Sequence, residues 1–253
     1  HGTAKESTKS VFHYLKDLGY RVGLAGKTHV KPKTSFPFEY VSKDIESEKV
    51  AAFMADDEQP FCLFICSKSP HAAWTAGDAS KFEADEIDLL PTQFDSPEER
   101  EAMTRYLAEV EDLDREVGVA LGMLEEAGQV ENTVSIFSSE QGWALGFAKW
   151  TNWNLGVHTG MIARWPGKIA AGTRTNALVQ MADVTPTFVE AAGGKPEDLD
   201  LDGKSFLPVL KSERKTHREF VYMMHNNKRE GPPYPIRSIR GENYHLIHNL
   251  YFD

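Results

Sequence analysis

Side chains able to do chemistry collect in three short passages of this chain. The first is FSSEQGWALGFAKW, Phe137 to Trp150, where an apolar run (Val134, Ile136, Phe137) stops abruptly at Ser138-Ser139-Glu140-Gln141-Gly142. Ligands of α/β proteins gather where strands stop at their carboxyl ends. An acid and an amide side by side at such an end, with a glycine that lets the backbone turn, offer the oxygen donors that Mg²⁺ and Ca²⁺ prefer. Lys149, eight residues past Gln141, adds a compact positive charge suited to a tetrahedral oxyanion. The same grammar, an apolar run and then a polar turn, recurs in GLAGKTHV (23–30), which presents Lys27 and His29. It recurs again in FCLFICSKSPHAAW (61–74), which presents Ser69 and His71. If three strand ends deliver Lys27, His29, His71, Glu140, Gln141 and Lys149 to one edge, they form a cleft for an anionic ester. Taken singly, each has a plain alternative: the lysines as solvated charges, the histidines as hydrogen-bonded turn residues, and 137–142 as an ordinary exit from a strand.

The elements that would position these residues follow from hydrophobic period and punctuation. Ser7 to Tyr20 reads as a helix with Val11, Leu15 and Leu18 on one face and Gly19 at its end. Arg21 to Ala25 reads as a strand, residues 31–60 as irregular with a helix over Ile45 to Met54, and Phe61 to Ser67 as a strand covered on both faces. Residues 69–95, rich in Pro, Asp and Gly, form a long loop that could wall a cleft. Ser96-Pro97-Glu98-Glu99 starts a helix, with Ser96 as cap and Glu99 closing a capping box. The series Met103, Tyr106, Leu107, Val110, Leu113, Val117, Leu121, Leu124 carries it to Gly128. Glu109, Glu111, Asp112 and Asp114 read as its solvated side rather than as metal ligands. Further strands are expected at Asn132 to Ser138 and Met161 to Trp165, and a helix from Asp183 to Gly193-Gly194. Short strands at Glu219 to Met224, Ile236 to Arg240 and Tyr244 to Asn249 then make a small antiparallel subdomain, with a hairpin at Gly241-Glu242-Asn243. The fold class is therefore α/β, a mostly parallel central sheet flanked by helices. Residues 1–211 form the main domain and 212–253 the small subdomain.

Composition narrows the partners. A formal net charge of -10 argues against a nucleic-acid binder, and no stretch has the apolar length needed to span a bilayer as a helix. The start, HGTAKESTKS, has neither an initiator Met nor a signal-peptide core, so the chain reads as the later part of a longer protein. Cys62 and Cys66, on one strand, would lie about 13 Å apart, beyond disulfide reach, and read as buried apolar groups.

Six pieces in order resemble the sulfatase family of the alkaline-phosphatase-like superfamily, over nearly the whole chain. Gly26-Lys27-Thr28-His29 is similar to the family's G-K-x-H, Ser69-Pro70-His71 to its P-H motif, and Ser139-Glu140-Gln141-Gly142 to its S-D-N/H-G. Phe147-Ala148-Lys149-Trp150 supplies the later lysine, Trp165-Pro166-Gly167 resembles the W-P-G turn, and Asp202-Gly203-Lys204-Ser205-Phe206-Leu207 resembles D-G-x-S-L. The resemblance implies hydrolysis of a sulfate ester, on a carbohydrate or other small molecule, by a formylglycine made from Cys or Ser, in a secreted or periplasmic setting. It implies that Lys27 holds the formylglycine and cation side, that His29 is the base of the elimination step, that His71 contacts sulfate and protonates the leaving oxygen, and that Lys149 is its partner on sulfate. Glu140 and Gln141 would be ligands of Ca²⁺ or Mg²⁺. Three departures stand out. No C-x-P/A-x-R box is present, since Cys66 is followed by Ser67-Lys68-Ser69-Pro70, and the first strand with its Asp pair is missing; both are expected on a missing N-terminal part of the same protein. Glu140-Gln141 replaces Asp-Asn or Asp-His, each one methylene longer. His158 stands where similar sequences often carry arginine, either as a substrate-cleft residue or in a surface or packing role. His225 and Asn226-Asn227-Lys228-Arg229 are further candidates to border the substrate, and Trp74, Trp143, Trp150 and Trp153 serve either packing or sugar stacking. A phosphatase or phosphonate monoesterase of the same superfamily, and a non-catalytic anion-binding remnant, are the rival readings.

Overall fold

An unbroken apolar run with β-branched and small residues suits the middle strand of a sheet, and Arg21–Gly26 (β1) takes that place. The computed structural model describes residues 3–56, 58–226 and 232–251. They fall into two compact units, the first made of 1–67, 119–135 and 163–218, the second of 68–118, 136–162 and 219–253. The division runs through the 30-residue helix α3 (Pro97–Glu126), the strand β4 (Ser135–Ser138) and the strand β5 (Met161–Arg164), and β4 and β5 pair with each other.

In the first unit, β1 lies between β2 (Glu39–Ser42) and β3 (Phe61–Cys66), parallel to both. Its register with β3 is unbroken from Arg21 opposite Phe61 to Gly26 opposite Cys66. Because side chains alternate along a strand, Val22 and Ala25 serve opposite faces. Val22 packs with Phe12 and Leu15 of α1 (Val11–Asp17); Ala25 packs with Val50 and Met54 of α2 (Ser47–Ala55) and with Met123 and Leu124 of α3. Phe12 touches the rings of Phe36, Phe38 and Phe64 at centroid distances of 5.2–6.3 Å, contacts worth roughly 0.5–1.5 kcal/mol each beyond their burial.

Two expectations are corrected in this unit. The first helix begins at Val11 rather than Ser7, because Ser10 and His13 cap each other: the Ser10 N–H donates to His13 Nδ1 (3.1 Å) and the His13 N–H to Ser10 O (2.9 Å). Residues 31–60 contain β2, which no pattern announced because Glu39 and Tyr40 are both exposed and break the alternation. In β3 every residue is half-buried and both faces are packed as expected, Cys62 and Phe64 against the α1 cluster and Phe61, Leu63 and Ile65 against the α2 and α3 cluster. The helix α5 (Val184–Ala191) follows the sequence reading, and the short helix α6 (Leu207–Leu210) comes after it.

The second unit holds the start of α3, the long loop before it, the short helix α4 (Asn154–Val157) and an antiparallel sheet in the order β6 (Val221–His225), β7 (Ile236–Arg240), β8 (His245–Asn249). The expected hairpin is present, closed by the Gly241 N–H donating to Tyr244 O (2.9 Å). At the head of α3 the Ser96 hydroxyl accepts from the Glu99 N–H (3.2 Å), while the Glu99 carboxylate takes a hydrogen bond from Gln93 instead of closing a capping box. An α/β fold with a parallel sheet, flanking helices and a small antiparallel sheet is what the pattern predicted. Among the described residues no helix is long and apolar enough to cross a membrane.

Candidate active site

At the end of β1 a glycine sets the geometry of Lys27. Gly26 has φ +92°, and a Cβ on it would lie 2.2 Å from the carbonyl oxygen of Cys66, so only glycine admits this close approach. The next N–H, of Lys27, donates to that same oxygen (2.8 Å), and the Tyr40 hydroxyl donates to Gly26 O (3.0 Å). Lys27 leaves this turn half-buried and His29 exposed. Between them, Thr28 Oγ1 is enclosed without a hydrogen-bond partner among the described residues. Burial raises the Cys66 thiol above its ordinary range, partly offset by the Lys27 charge, and pushes Cys62 up to about 12. Both cysteines are free and stay protonated, as packing residues do.

The second unit gathers Glu140, Gln141, Lys149 and His158 on one interlaced stretch after β4. The Ser139 N–H donates to Gly160 O (3.1 Å), Gly142 N–H to Gly156 O (3.2 Å) and Lys149 N–H to Trp143 O (3.0 Å). A Cβ on Gly142 would sit 1.8 Å from Leu155 O, so the glycine after Gln141 lets the two segments touch. Glu140 and His158 are exposed, Gln141 and Lys149 half-buried. The ammonium of Lys149 lies 5.2 Å from the centre of the Trp150 ring.

His71 stands exposed on the loop before α3. That loop is held to the rest of its unit by devices that sequence reading missed. Glu109, expected on the solvated side of the helix, is buried, and its carboxylate accepts from the N–H groups of Thr75 (2.7 Å) and Ala76 (3.1 Å). Gly77 packs against the Ala108 carbonyl, and Trp74, whose indole N–H donates to Pro70 O (3.3 Å), stacks edge-on against Tyr106 and through it Trp143. Arg100 clamps the far end of the loop, donating to the carbonyls of Ala84 and Ile87 and pairing with Asp95. A helical period shows which residues share a face but not which loop lands on it; only the oddly placed acid opposite a long loop was a signal. Glu111 and Asp112, by contrast, make surface pairs with Lys81 and Arg115, as expected of a solvated side.

Two of the six resemblance pieces are architectural. Asp183, fully buried, accepts from Arg218 through two nitrogens, from the N–H of Lys204 (2.9 Å) and the N–H of Gln180 (3.1 Å), and lies 3.1 Å from His217 Nε2. The Phe206 N–H donates to Thr187 Oγ1 (3.0 Å). The stretch Asp202 to Leu207 is thus tied down at the start of α5. Trp165-Pro166-Gly167 is a turn closed by the N–H groups of Lys168 and Ile169 on Trp165 O. Of the candidates around His225, Asn226 accepts from Arg237 (2.9 Å), whereas Asn227, Lys228 and Arg229 lie outside the described residues.

The donors present do not complete a cation site by themselves. Glu140 and Gln141 offer two oxygens where Ca²⁺ takes six to eight, and no group of three or more His, Cys, Asp or Glu able to hold a metal occurs among the described residues. Nor does the chain carry a cysteine in a formylglycine box.

With this geometry in hand, comparison with known proteins is informative. The family profile described as Sulfatase matches residues 30–194, more than half of the chain, and that of the N-sulphoglucosamine sulphohydrolase C-terminal region matches 139–253. An ulvan-active sulfatase of Formosa agariphila is 32% identical over 99% of this chain and 52% of its own length. Human N-sulphoglucosamine sulphohydrolase is 24% identical over 100% of this chain and 59% of its own. The chain thus spans about half the length of the curated relatives it matches. Among solved structures, one from work on glycosaminoglycan metabolism by Bacteroides thetaiotaomicron superimposes with a TM-score of 0.83 at 18% identity, covering 99% of this chain and 68% of that one. Another, solved in complex with D-glucosamine-2-N,6-O-disulfate, gives 0.76 at 18% identity and covers 100% and 75%. Profile and fold agree, and the chain belongs to the sulfatase family of the alkaline-phosphatase-like superfamily.

Proposed function

We propose that this chain is part of a sulfuric ester hydrolase acting on a sulfated carbohydrate. Residues 1–211 would contribute to its catalytic α/β domain and 212–253 to the small antiparallel subdomain. The observation that carries the reading is the interlacing of the Ser139–Gly142, Trp143–Lys149 and Gly156–Gly160 backbones, which presents an acid, an amide oxygen, a lysine and a histidine from one short stretch after a strand. Lys149 and His71 would bind the sulfate oxygens and neutralise charge that grows as the S–O bond breaks, with His71 giving a proton to the leaving alcohol oxygen. His158 would stand on the substrate side. Lys27 and His29 keep the tasks the resemblance implies, a positive charge held at the end of β1 and a base exposed beside it. Glu140 and Gln141 would supply two oxygens to a Ca²⁺ or Mg²⁺ ion whose remaining ligands come from polypeptide outside this sequence. A formylglycine from that same polypeptide would supply the nucleophilic oxygen.

Full-length protein assayed on 4-nitrophenyl sulfate and 4-nitrophenyl phosphate tests the reading. Preferential release from the sulfate is expected. Preference for phosphate would move the chain to the phosphatase or phosphonate monoesterase branch, whose fold is close: a phosphonate monoester hydrolase of Silicibacter pomeroyi superimposes with a TM-score of 0.69 at 14% identity. A full-length protein that binds sulfate and Ca²⁺ yet cleaves neither ester would mark a non-catalytic binder.

A further inference from the structure

Beside Lys149 the second unit exposes aromatic surface that the proposed chemistry does not use. Trp150 is 43% exposed although both flanks of its loop are locked: Ala148 is fully buried, and the buried Asn152 side chain donates to Met223 O (3.2 Å) and Ser238 Oγ (3.1 Å) of the antiparallel sheet. Trp150 also has φ +73°, a left-handed conformation costing a bulky residue on the order of 1 kcal/mol. A surface loop free to choose would put glycine or asparagine there. The indole is held outward by its anchors, not left out for want of a core. Behind it stands His225, ring centroids 6.0 Å apart at 61°, and beside that ring Tyr234, 4.9 Å away at 41° and 37% exposed. His225 Nε2 is enclosed with no hydrogen-bond partner among the described residues, and desolvation lowers the affinity of that imidazole for a proton, so it stays an uncharged part of the aromatic surface at neutral pH.

What fits is a ligand with an apolar face for the indole, an anionic substituent for the ammonium 5.2 Å from that ring centre, and polar edges for a phenol. A pyranose carrying a sulfate has all three: axial C–H groups on one face, an ester oxygen leading to the anion, and ring hydroxyls. We propose that Trp150, with His225 and Tyr234 behind and beside it, is the stacking subsite for the sugar ring next to the sulfate that Lys149 holds. This rests on the sulfatase reading above and adds the residue that recognises the non-reacting part of the substrate.

The test compares full-length wild type with Trp150→Ala, Trp150→Phe and Tyr234→Ala. Each is assayed on 4-nitrophenyl sulfate and on sulfated oligosaccharides from digested heparan sulfate, ulvan and carrageenan, with inorganic sulfate as a competitive inhibitor. Stacking on an aromatic side chain is worth about 1–3 kcal/mol by alanine substitution of nucleobase contacts. On that scale Trp150→Ala should raise KM for the best oligosaccharide about tenfold or more. The inhibition constant of inorganic sulfate should stay within about twofold, since sulfate alone meets Lys149 and not the ring. Trp150→Phe should recover most of the loss, and Tyr234→Ala, on another element, should show a smaller rise. An unchanged oligosaccharide KM in Trp150→Ala, or equal losses for oligosaccharide and inorganic sulfate, overturns the subsite. So does a wild type that cleaves 4-nitrophenyl sulfate but no oligosaccharide, and the sulfatase reading then stands. If wild type cleaves no sulfate ester at all, it is the sulfatase reading that fails. Should Trp150→Ala not fold, Tyr234→Ala carries the same comparison.

Discussion

Two carboxylates, one in each unit, illustrate opposite uses of the same group. Asp183 is sealed from solvent and saturated: a guanidinium, an imidazole and two backbone N–H groups surround it. Glu140 sits exposed one residue before a half-buried amide, on a stretch whose backbone rather than side chains makes the ties. A buried acid with every lone pair engaged has nothing left for a ligand and is architecture; an acid whose position is set by its backbone keeps its oxygens available. The same contrast separates the Asp202–Leu207 piece of the family pattern, whose backbone N–H groups are tied to Asp183 and Thr187, from the Ser139–Gly142 piece, whose Glu140 is left exposed.

Breaking the saturated acid should have the largest effect. Asp183→Ala removes the fully buried acid on which Arg218 and two backbone N–H groups converge, which costs about 3–5 kcal/mol; urea unfolding measures it, and a loss below about 1 kcal/mol would contradict the account. The pH dependence carries the same signature. Burial works against ionisation of Asp183, but the hydrogen bonds from Arg218, Lys204 and Gln180 outweigh it and hold the carboxyl below its ordinary range. A depressed folded pKa means that this contribution is whole above the unfolded value of about 3.9 and fades as pH falls through the folded one. Acid titration of stability should therefore flatten near and below pH 4 in Asp183→Asn relative to wild type.

Next come the open groups. Lys149→Ala or His71→Ala in the full-length enzyme should lower turnover about 10²–10³-fold with little change in melting temperature. If melting falls as far as activity does, the contrast with Asp183 collapses. Glu140→Gln should shift the Ca²⁺ dependence of activity by roughly tenfold or more, since even outer partners of a metal matter by that much. Smallest is Glu109→Gln, which keeps one acceptor oxygen but loses charge. It should cost about 1 kcal/mol and speed amide exchange at Thr75 and Ala76, sharpening the distinction between residues proposed to act and one that positions the His71 loop.

Much of this was legible in the residues. Period and punctuation located β1, α3, α5 and the three C-terminal strands to within a few residues, because those elements bury one regular face or lie between strong turn signals. β2 escaped because Glu39 and Tyr40 are exposed on a short strand, and Glu109 because helical period says nothing about what a distant loop brings against it. Of the tryptophans, spacing could not tell Trp74 and Trp143, packed through Tyr106, from Trp150, held outward by the buried Asn152.

Composition and local pattern gave the α/β class and a short roster of candidate side chains, and the order of six short pieces gave the family, since each piece depends only on near neighbours along the chain. Whether an acid would be spent on an arginine in the interior or left to solvent, and whether an indole would be packed or presented, was decided by contacts between residues dozens of positions apart. Burial and hydrogen-bond saturation belong to the folded surroundings, not to the side chain that experiences them.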